Sequence, residues 1–317
     1  MTADLDLARL RIFREVASRG SFTAAATALR LTQPAVSQQV AKLEKELGAV
    51  LLDRSARAIV VTPPGRALLG HVDAVFARLE DARREVGALA HPDGGQLTLA
   101  AFPSASATIV APLVAAWSAA SRDGRVLVSE VDPPASLPGV VRGDFDLALA
   151  YDYPVLPRAP RDPRLAATDV VHDRMAVVLP PGHPLADRAE LPLAELAPHP
   201  WVAPHDCGCH DALLVACCRV GFRPRIVAHT NDYLTMLGLV RAGVGVAVVP
   251  RLIAAGANTV PEGVVLRPLT GTGLVRTLSV ISRNSGYQAP GVERMVGIVR
   301  RLVPTLGRAD LPLAPAA

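Results

Sequence analysis

The stretch that most limits what this chain can fold into is Leu31 to Gly48, LTQPAVSQQVAKLEKELG. Thr32 is suited to cap a helix, because its hydroxyl can accept a first-turn amide that has no partner within the helix. Pro34 falls in the first turn, where a missing N–H does no harm. Val36, Val40, Leu43 and Leu47 recur at spacings of four, three and four, so they share one helix face, and Gly48 can end it. The other side carries Gln33, Ala35, Ser37, Gln38 and Lys42. Glutamine can pair with adenine in a major groove, small side chains allow close approach, and lysine can meet a phosphate. Taken alone, such a face is equally the solvated side of an ordinary amphipathic helix.

The preceding residues favour the first reading. Leu10, Phe13 and Val16 form the apolar stripe of an earlier helix closed by Gly20. Ser21 can cap a second helix, Phe22 to Leu29, whose alanines let a neighbour pack close. Only Arg30 and Leu31 separate it from the cap at Thr32. Two short helices, a tight turn and a helix with a small, polar N-terminal end make a helix-turn-helix pattern. Leu51-Leu52 and Ile59 to Val61 then flank a polar turn with Arg54 and Arg57 at its tip, a short hairpin or wing. Its arginines would meet phosphates or enter a minor groove, or simply face solvent.

From Thr62 and Pro63 a long helix is expected to about residue 90. Leu68, Val72, Val75, Leu79, Ala82, Val86 and Leu89 alternate at four and three, a heptad seam. A helix of that length spans about 40 Å at 1.5 Å per residue. Its seam could pack on its own chain. A second copy is the more economical partner, and two-fold symmetry suits a palindromic DNA site.

Charge agrees with an anionic partner at this end. Residues 1–60 hold nine Lys and Arg against six Asp and Glu, most of the whole chain's net +4. At 317 residues, half hydrophobic and a fifth charged, the chain has room for more than one globular core. The N-terminus, MTADLDLARL, is charged and lacks an apolar signal core, so a cytoplasmic protein is expected. No apolar run is read as approaching the ~18 residues needed to cross a bilayer, so no membrane partner is expected.

Residues 7–89 resemble the DNA-binding and linker region of LysR-type transcriptional regulators. The resemblance rests on Phe13, Gly20, Ser21 to Ala26, Leu29, Thr32 to Ser37, Leu43-Glu44, Glu46 to Gly48, Leu51, Arg54, Arg57 and Thr62 to Gly65. The chain departs from the family at Gln38 and Ala58, where a basic residue is common, and at Leu52, where phenylalanine is usual. The resemblance implies DNA contacts from Ser21, Thr23, Thr32, Gln33, Pro34, Ala35, Ser37, Gln38, Lys42, Arg54 and Arg57. It also implies a homodimer or homotetramer that binds double-stranded promoter DNA, answers a small-molecule effector and meets RNA polymerase.

The remainder alternates strands with helices. Gln96 to Ala101, Val126 to Val131 and Asp146 to Ala150 read as strands, with a helix from Pro103 carrying Leu113 and Trp117 between the first two. Such alternation argues for a parallel sheet with helices on both faces. Near residue 165 the pattern restarts, with strands at Met175 to Leu179, Trp201 to Ala203, Arg225 to Ala228 and Val244 to Val249. Helices are expected over Asp211 to Val220, Leu234 to Arg241 and Val292 to Leu302.

By the same resemblance the chain crosses to a second subdomain and returns. The expected class is α+β multidomain: a winged helix-turn-helix over 1–64, a linker (dimerisation) helix over 65–90, then a two-lobed α/β, periplasmic-binding-protein-like effector domain. Its first subdomain takes 91–164 and 269–307, its second 165–268, and 308–317 is a tail.

Ligands in open α/β sheets bind beyond the carboxyl ends of strands, near helix N-termini. Two strand-to-helix corners qualify, Phe102 to Ser106 and Pro204 to Cys209. The resemblance makes these the segments that meet the effector: Ser104, Ala105 and Ser106 in one, Pro204, His205 and Asp206 in the other. Asp132, Tyr151, Asn231 and Tyr233 occupy similar strand ends. Ser104 and Ser106 could equally serve as helix caps.

His205, Cys207, Cys209, His210, Cys217 and Cys218 form a cluster of soft-metal ligand types. CxC followed by CC within one helix does not match structural zinc spacings, and Cys217 and Cys218 point to different sides. Buried structural cysteines are therefore expected, with a thiol or metal sensor as the alternative. No metal and no cofactor is expected. An enzyme is the main rival class, yet GxSxG, Walker and HExxH motifs are absent. Gly243-Val244-Gly245 follows a helix and precedes a strand, the wrong order for a pyrophosphate cradle. A solute-binding protein would share two lobes but would need an export signal and no helix-turn-helix.

Overall fold

Caps define the N-terminal helices of the computed structural model, which describes residues 5–53, 59–90, 96–121, 124–157, 160, 162–254, 260–271, 273–284 and 288–306. Helix α1 (Leu7–Arg19) starts where the Asp6 carboxylate accepts from Ala8 N at 2.7 Å and ends at left-handed Gly20. Helix α2 (Phe22–Leu29) is capped by Ser21 Oγ, which accepts from Ala24 N at 3.3 Å. It ends at Arg30, a non-glycine residue at φ 55°. Helix α3 (Gln33–Leu47) has Thr32 as its cap and Gly48 at its end. Phe13, Val16, Ala25, Val36, Val40 and Leu43 are fully buried together, which explains why the three helices pack as one unit. Leu47, expected on the same face, is exposed in the last turn.

Strands β1 (Leu52–Asp53) and β2 (Val60–Val61) pair antiparallel, as expected of a wing. The tip with Arg54 and Arg57 lies outside the described residues. Glu44 ties α3 to the wing, its Oε1 accepting from Leu51 N at 2.9 Å and Leu52 N at 3.2 Å. Helix α4 (Pro63–Ala90) begins at Thr62, whose hydroxyl accepts from Gly65 N and donates to Val50 O. Gly65 faces the wing so closely that a Cβ there would lie 2.2 Å from Leu51 O.

The seam of α4 divides along its length. Leu68 and Val72 pack into the helix-turn-helix core, with Leu69 and Phe76 beside them, whereas Val75, Leu79 and Val86 are exposed. The chain separates into two compact units, residues 1–83 and 84–317, and α4 spans the boundary.

In the second unit β3 (Gln96–Ala101) is flanked by parallel strands β4 (Arg125–Glu130) and β5 (Leu147–Asp152). A continuous helical run, Pro103–Ala120, follows β3 as α5 (Pro103–Ala105), a π segment (Ser106–Val110) and α6 (Ala111–Ala120). Pro112 cannot donate to the turn before it, which accounts for the wider π geometry just upstream. By length and composition this run could cross a membrane, which corrects the expectation that no segment reaches that length. Its Ile109, Leu113 and Trp117 are buried in the core of the first lobe. Helix α7 (Pro133–Arg142) covers the opposite sheet face through Val140.

The restart near residue 165 is the beginning of one fifteen-residue strand, β6 (Leu165–Leu179). Strand β7 (Leu191–Pro192) and a 3-10 turn (Leu193–Leu196) come next. Then β8 (Pro200–Ala203), α8 (Gly208–Arg219), β9 (Arg225–His229), α9 (Tyr233–Arg241), β10 (Ala247–Pro250) and α10 (Arg251–Ala254) build the second lobe. Strands β11 (Val265–Thr270) and β12 (Val275–Arg283) lead back to α11 (Pro290–Leu306).

β6 serves both lobes. Its first part pairs antiparallel with β12, and Met175 to Leu179 pair antiparallel with β10 and β11. The expected parallel sheet is therefore mixed, in the order β4-β3-β5-β12-β6-β11-β7. The physical reason is the crossover: two long strands running in opposite directions carry the chain across and back. β8 and β9 form a separate parallel pair, bridged to the rest at Trp201 and Val246.

Where β6 and β12 cross between lobes, Arg276 stands directly opposite Asp173. The arginine is fully buried, and its Nε and Nη2 donate to Asp173 Oδ2 at 3.0 and 2.8 Å. Its Nη1 donates to Ser104 Oγ at 3.0 Å, and Leu252 N donates to Asp173 Oδ1 at 3.2 Å. Removing one partner of a buried ion pair leaves an uncompensated charge, at a cost of about 3–5 kcal/mol. Asp173→Ala should therefore destabilise the protein by that amount in urea unfolding, and Asp173→Ala with Arg276→Met by less. A loss under about 1 kcal/mol for the single change would deny the pair its structural role.

Candidate functional site

Two surfaces gather the residues singled out in the sequence. The first is the outer face of α3. Thr32, Gln33, Pro34, Gln38 and Lys42 are exposed there, and Ala35 and Ser37 are half-buried. Pro34, Gln38 and Lys42 are four apart, as are Gln33 and Ser37, so they form two adjacent rows on one helix side. Thr23 is exposed on α2, and Ser21 is half-buried with its hydroxyl engaged as the α2 cap. Capping and backbone contact to a phosphate are compatible at such a position, since the helix N-terminus itself favours an anion. Arg30, at the turn between α2 and α3, is also exposed, a cation that the sequence motif does not mark.

The second surface is a cavity of about 30 Å³ between the two lobes. Ser104, Asp132, Tyr151, Pro204, Asn231 and Tyr233, all singled out in the sequence, line it. Ala105 does not, because it is fully buried in the first-lobe core. Ser106 turns back to donate to Ala101 O at 3.4 Å. His205 and Asp206 are exposed beside the corner, paired with each other at 3.1 Å, with Asp206 at φ 49°. His205 N donates to Asn231 Oδ1 at 2.9 Å, which holds the corner against the start of α9.

The wall includes residues that the strand-end rule does not mark. Arg276 and Met236 line the cavity, as do Phe102, Pro103, Cys207 and Cys209 from the two corners. In the sequence, Arg276 is legible only as a cation within the apolar run VRTLSVIS. Its guanidinium lies 5.2 Å from the Phe102 ring centre and 5.7 Å from that of Tyr151. Phe102 and Tyr151 meet edge to face at 4.8 Å. The Tyr151 hydroxyl is 3.5 Å from Asp132 Oδ1. Burial raises the Asp132 carboxyl above its usual range, opposed by the Tyr151 hydrogen bond. Burial likewise raises the hydroxyls of Tyr151 and Tyr233, so both stay protonated and able to donate.

The cysteines separate into different environments. Cys217 is buried, and burial pushes its thiol up to about 12. Cys218 is exposed. Cys207 and Cys209 are half-buried on the cavity wall, so the expectation of buried structural cysteines holds for Cys217 alone. Among the described residues no group of three or more His, Cys, Asp or Glu side chains is arranged to hold a metal ion. The cavity thus offers hydroxyl, carboxyl, amide and thiol groups on an aromatic base, a lining suited to a small polar molecule.

The family profile described as "LysR substrate binding domain" matches residues 90–304. The profile "Bacterial regulatory helix-turn-helix protein, lysR family" matches residues 7–66. A Mycobacterium avium protein named "Probable hydrogen peroxide-inducible genes activator" is 28% identical over 303 residues, 94% of each chain. A cysteine mutant of Corynebacterium glutamicum OxyR superposes with a TM-score of 0.60 at 25% identity, covering 96% of this chain and 93% of that one. Full-length CbnR, solved with its target DNA, shares the fold with a TM-score of 0.55 at 24% identity, covering 94% of this chain and 99% of that one. The chain belongs to the LysR family: it is a transcriptional regulator that joins a helix-turn-helix DNA-binding domain to an effector-binding domain.

Proposed function

We propose that α3 enters the major groove of promoter DNA, that Gln33, Ser37 and Gln38 meet base edges, and that Lys42 meets a phosphate. The observation that carries this reading is the exposed, small and polar N-terminal half of a helix whose other face buries Val36, Val40 and Leu43. Ser21, Thr23 and Thr32 serve the backbone beside it, and Arg54 and Arg57 reach phosphates from the wing. The exposed Val75, Leu79 and Val86 on α4 meet the same residues of a second copy, giving a dimer or a tetramer.

A small polar effector occupies the cavity between the lobes. The division into lobes follows the proposed segments 91–164 with 269–307 and 165–268. The effector favours one arrangement of the regulator over another and so changes its action on RNA polymerase. The chain works on DNA in the cytoplasm and is not an enzyme. A constellation of nucleophile, base and oxyanion donors is not part of this reading, and a panel of turnover assays on small metabolites checks it.

Retardation of duplexes from upstream of the gene tests the DNA face. Gln33→Ala should lower discrimination between operator and random duplex by about ten-fold, equivalent to roughly 1–3 kcal/mol at a base contact. Lys42→Ala should weaken both duplexes alike and flatten the salt dependence by about one unit of slope. Equal losses on both duplexes for both variants would contradict the division of roles. The dimer is probed on the exposed part of the α4 seam: Leu79→Glu with Val86→Glu should shift the protein toward monomer in sedimentation. An unchanged sedimentation coefficient for that double variant would place the dimer contact elsewhere.

A further inference from the structure

Asp132 precedes α7 at the N-cap, where a carboxylate ordinarily accepts from a first-turn amide. Here it makes no cap hydrogen bond. The first two helical residues are Pro133 and Pro134, which have no N–H to offer. The next two amides, Ala135 N and Ser136 N, donate instead to the Asp132 carbonyl at 3.0 and 2.9 Å. The carboxylate is therefore left to the cavity that it lines, where the Tyr151 hydroxyl donates to its Oδ1 at 3.5 Å. Among the described residues no cation pairs with it, and Glu130, which acts on it through its charge, is a second acid.

The basic residue of the same wall is Arg276, and its charge is already met. Nε and Nη2 donate to Asp173, and Nη1 donates to Ser104. The pair of Arg276 and Asp173 is neutral, so Asp132 leaves the cavity one negative charge in excess. A second, smaller cavity of about 10 Å³ adjoins this one, since Pro204, Cys209, Tyr233 and Met236 line both. Its remaining wall is apolar, with Met175, Leu213, Val248 and Leu274. The space thus has an acidic end beside aromatic rings and an apolar end behind Met236.

We propose that the effector is a short aliphatic amine, bound as the ammonium with its nitrogen at Asp132 and its tail in the apolar end. This deepens the effector-cavity reading and rests on it. An ammonium supplies the cation and the N–H donors that the Asp132 carboxylate lacks, and a charge-assisted hydrogen bond is the strong kind. The rings of Phe102 and Tyr151 beside it add attraction for a cation. A carboxylate or phosphate ligand would instead set a second anion against Asp132, with the guanidinium already engaged. Size limits the tail. One water-sized group needs roughly 10–15 Å³ in this measure, so the two cavities together hold about three or four non-hydrogen atoms. Propylamine is of that size.

The test is calorimetric titration of the full-length chain at neutral pH with propylamine, propionate and 1-propanol, three probes of like size and different charge. Propylamine should bind at least ten-fold more tightly than either of the others. In the series methylamine, ethylamine, propylamine, affinity should rise about three-fold for each methylene placed in the apolar end, and hexylamine should bind more weakly than propylamine. This series needs no variant. Asp132→Asn keeps the shape of the side chain and removes its charge. It should cost propylamine at least ten-fold in affinity and leave 1-propanol unchanged, a split that a merely structural role for Asp132 would not produce. Propylamine affinity that survives Asp132→Asn, or a gain that continues unbroken to hexylamine, overturns the proposal. Tighter binding of propionate or 1-propanol than of propylamine overturns the amine and leaves the effector cavity standing, whereas binding of none of the three overturns both.

Discussion

The second unit depends on one buried ion pair. Arg276 and Asp173 face each other on the two strands that carry the chain between lobes. A guanidinium with no exposure to water is tolerable only where its donors are met, and here they are shared between Asp173 and Ser104. Asp173 in turn accepts the backbone of Leu252 at α10. One charge pair therefore joins the first corner of the cavity, both crossing strands and a helix start of the second lobe. A ligand that touches Ser104 or Arg276 acts on groups already bonded into the crossover. That is a physical route by which occupancy of a small cavity can bias the arrangement of two lobes.

The N-terminal unit is legible in the sequence nearly residue by residue. Its signals are local: Ser21 and Thr32 cap the helices that follow them, and Gly20 and Gly48 end helices in the left-handed conformation. Each of these acts within four residues, and the periodicity of Val36, Val40 and Leu43 supplies the rest. The effector domain is legible as elements and less so as a sheet. Strand direction across a lobe boundary is a long-range property, and nothing local distinguishes the two halves of β6. The short β7 and the strand β11 give no clear period.

Within the cavity, the strand-end rule finds Ser104, Asp132, Tyr151, Pro204, Asn231 and Tyr233 because those positions follow from strand and helix boundaries. It misses Arg276 and Met236, which lie within β12 and α9 and reach the cavity by facing across it. It includes Ala105, His205 and Asp206 because corner membership does not specify which way a side chain turns. The cysteines illustrate the same limit. Residues 207 and 209 reach the wall while 217 is sealed in the core of the second lobe, a difference of helix phase that composition cannot convey.

At the other end of the chain, Gly65 leaves no gap between the first turn of α4 and the wing carbonyl of Leu51. The long helix therefore leaves the winged fold at a set rotational phase. An α-helix advances about 100° per residue, at 3.6 residues per turn. Inserting or deleting a single residue just beyond Phe76 would swing the side chains of Leu79 and Val86 by that angle about the axis while leaving Leu68 and Val72 in place. Length variation in this rod is thus confined to steps near whole turns, three or four residues at a time, if the apolar ridge is to stay in line with itself.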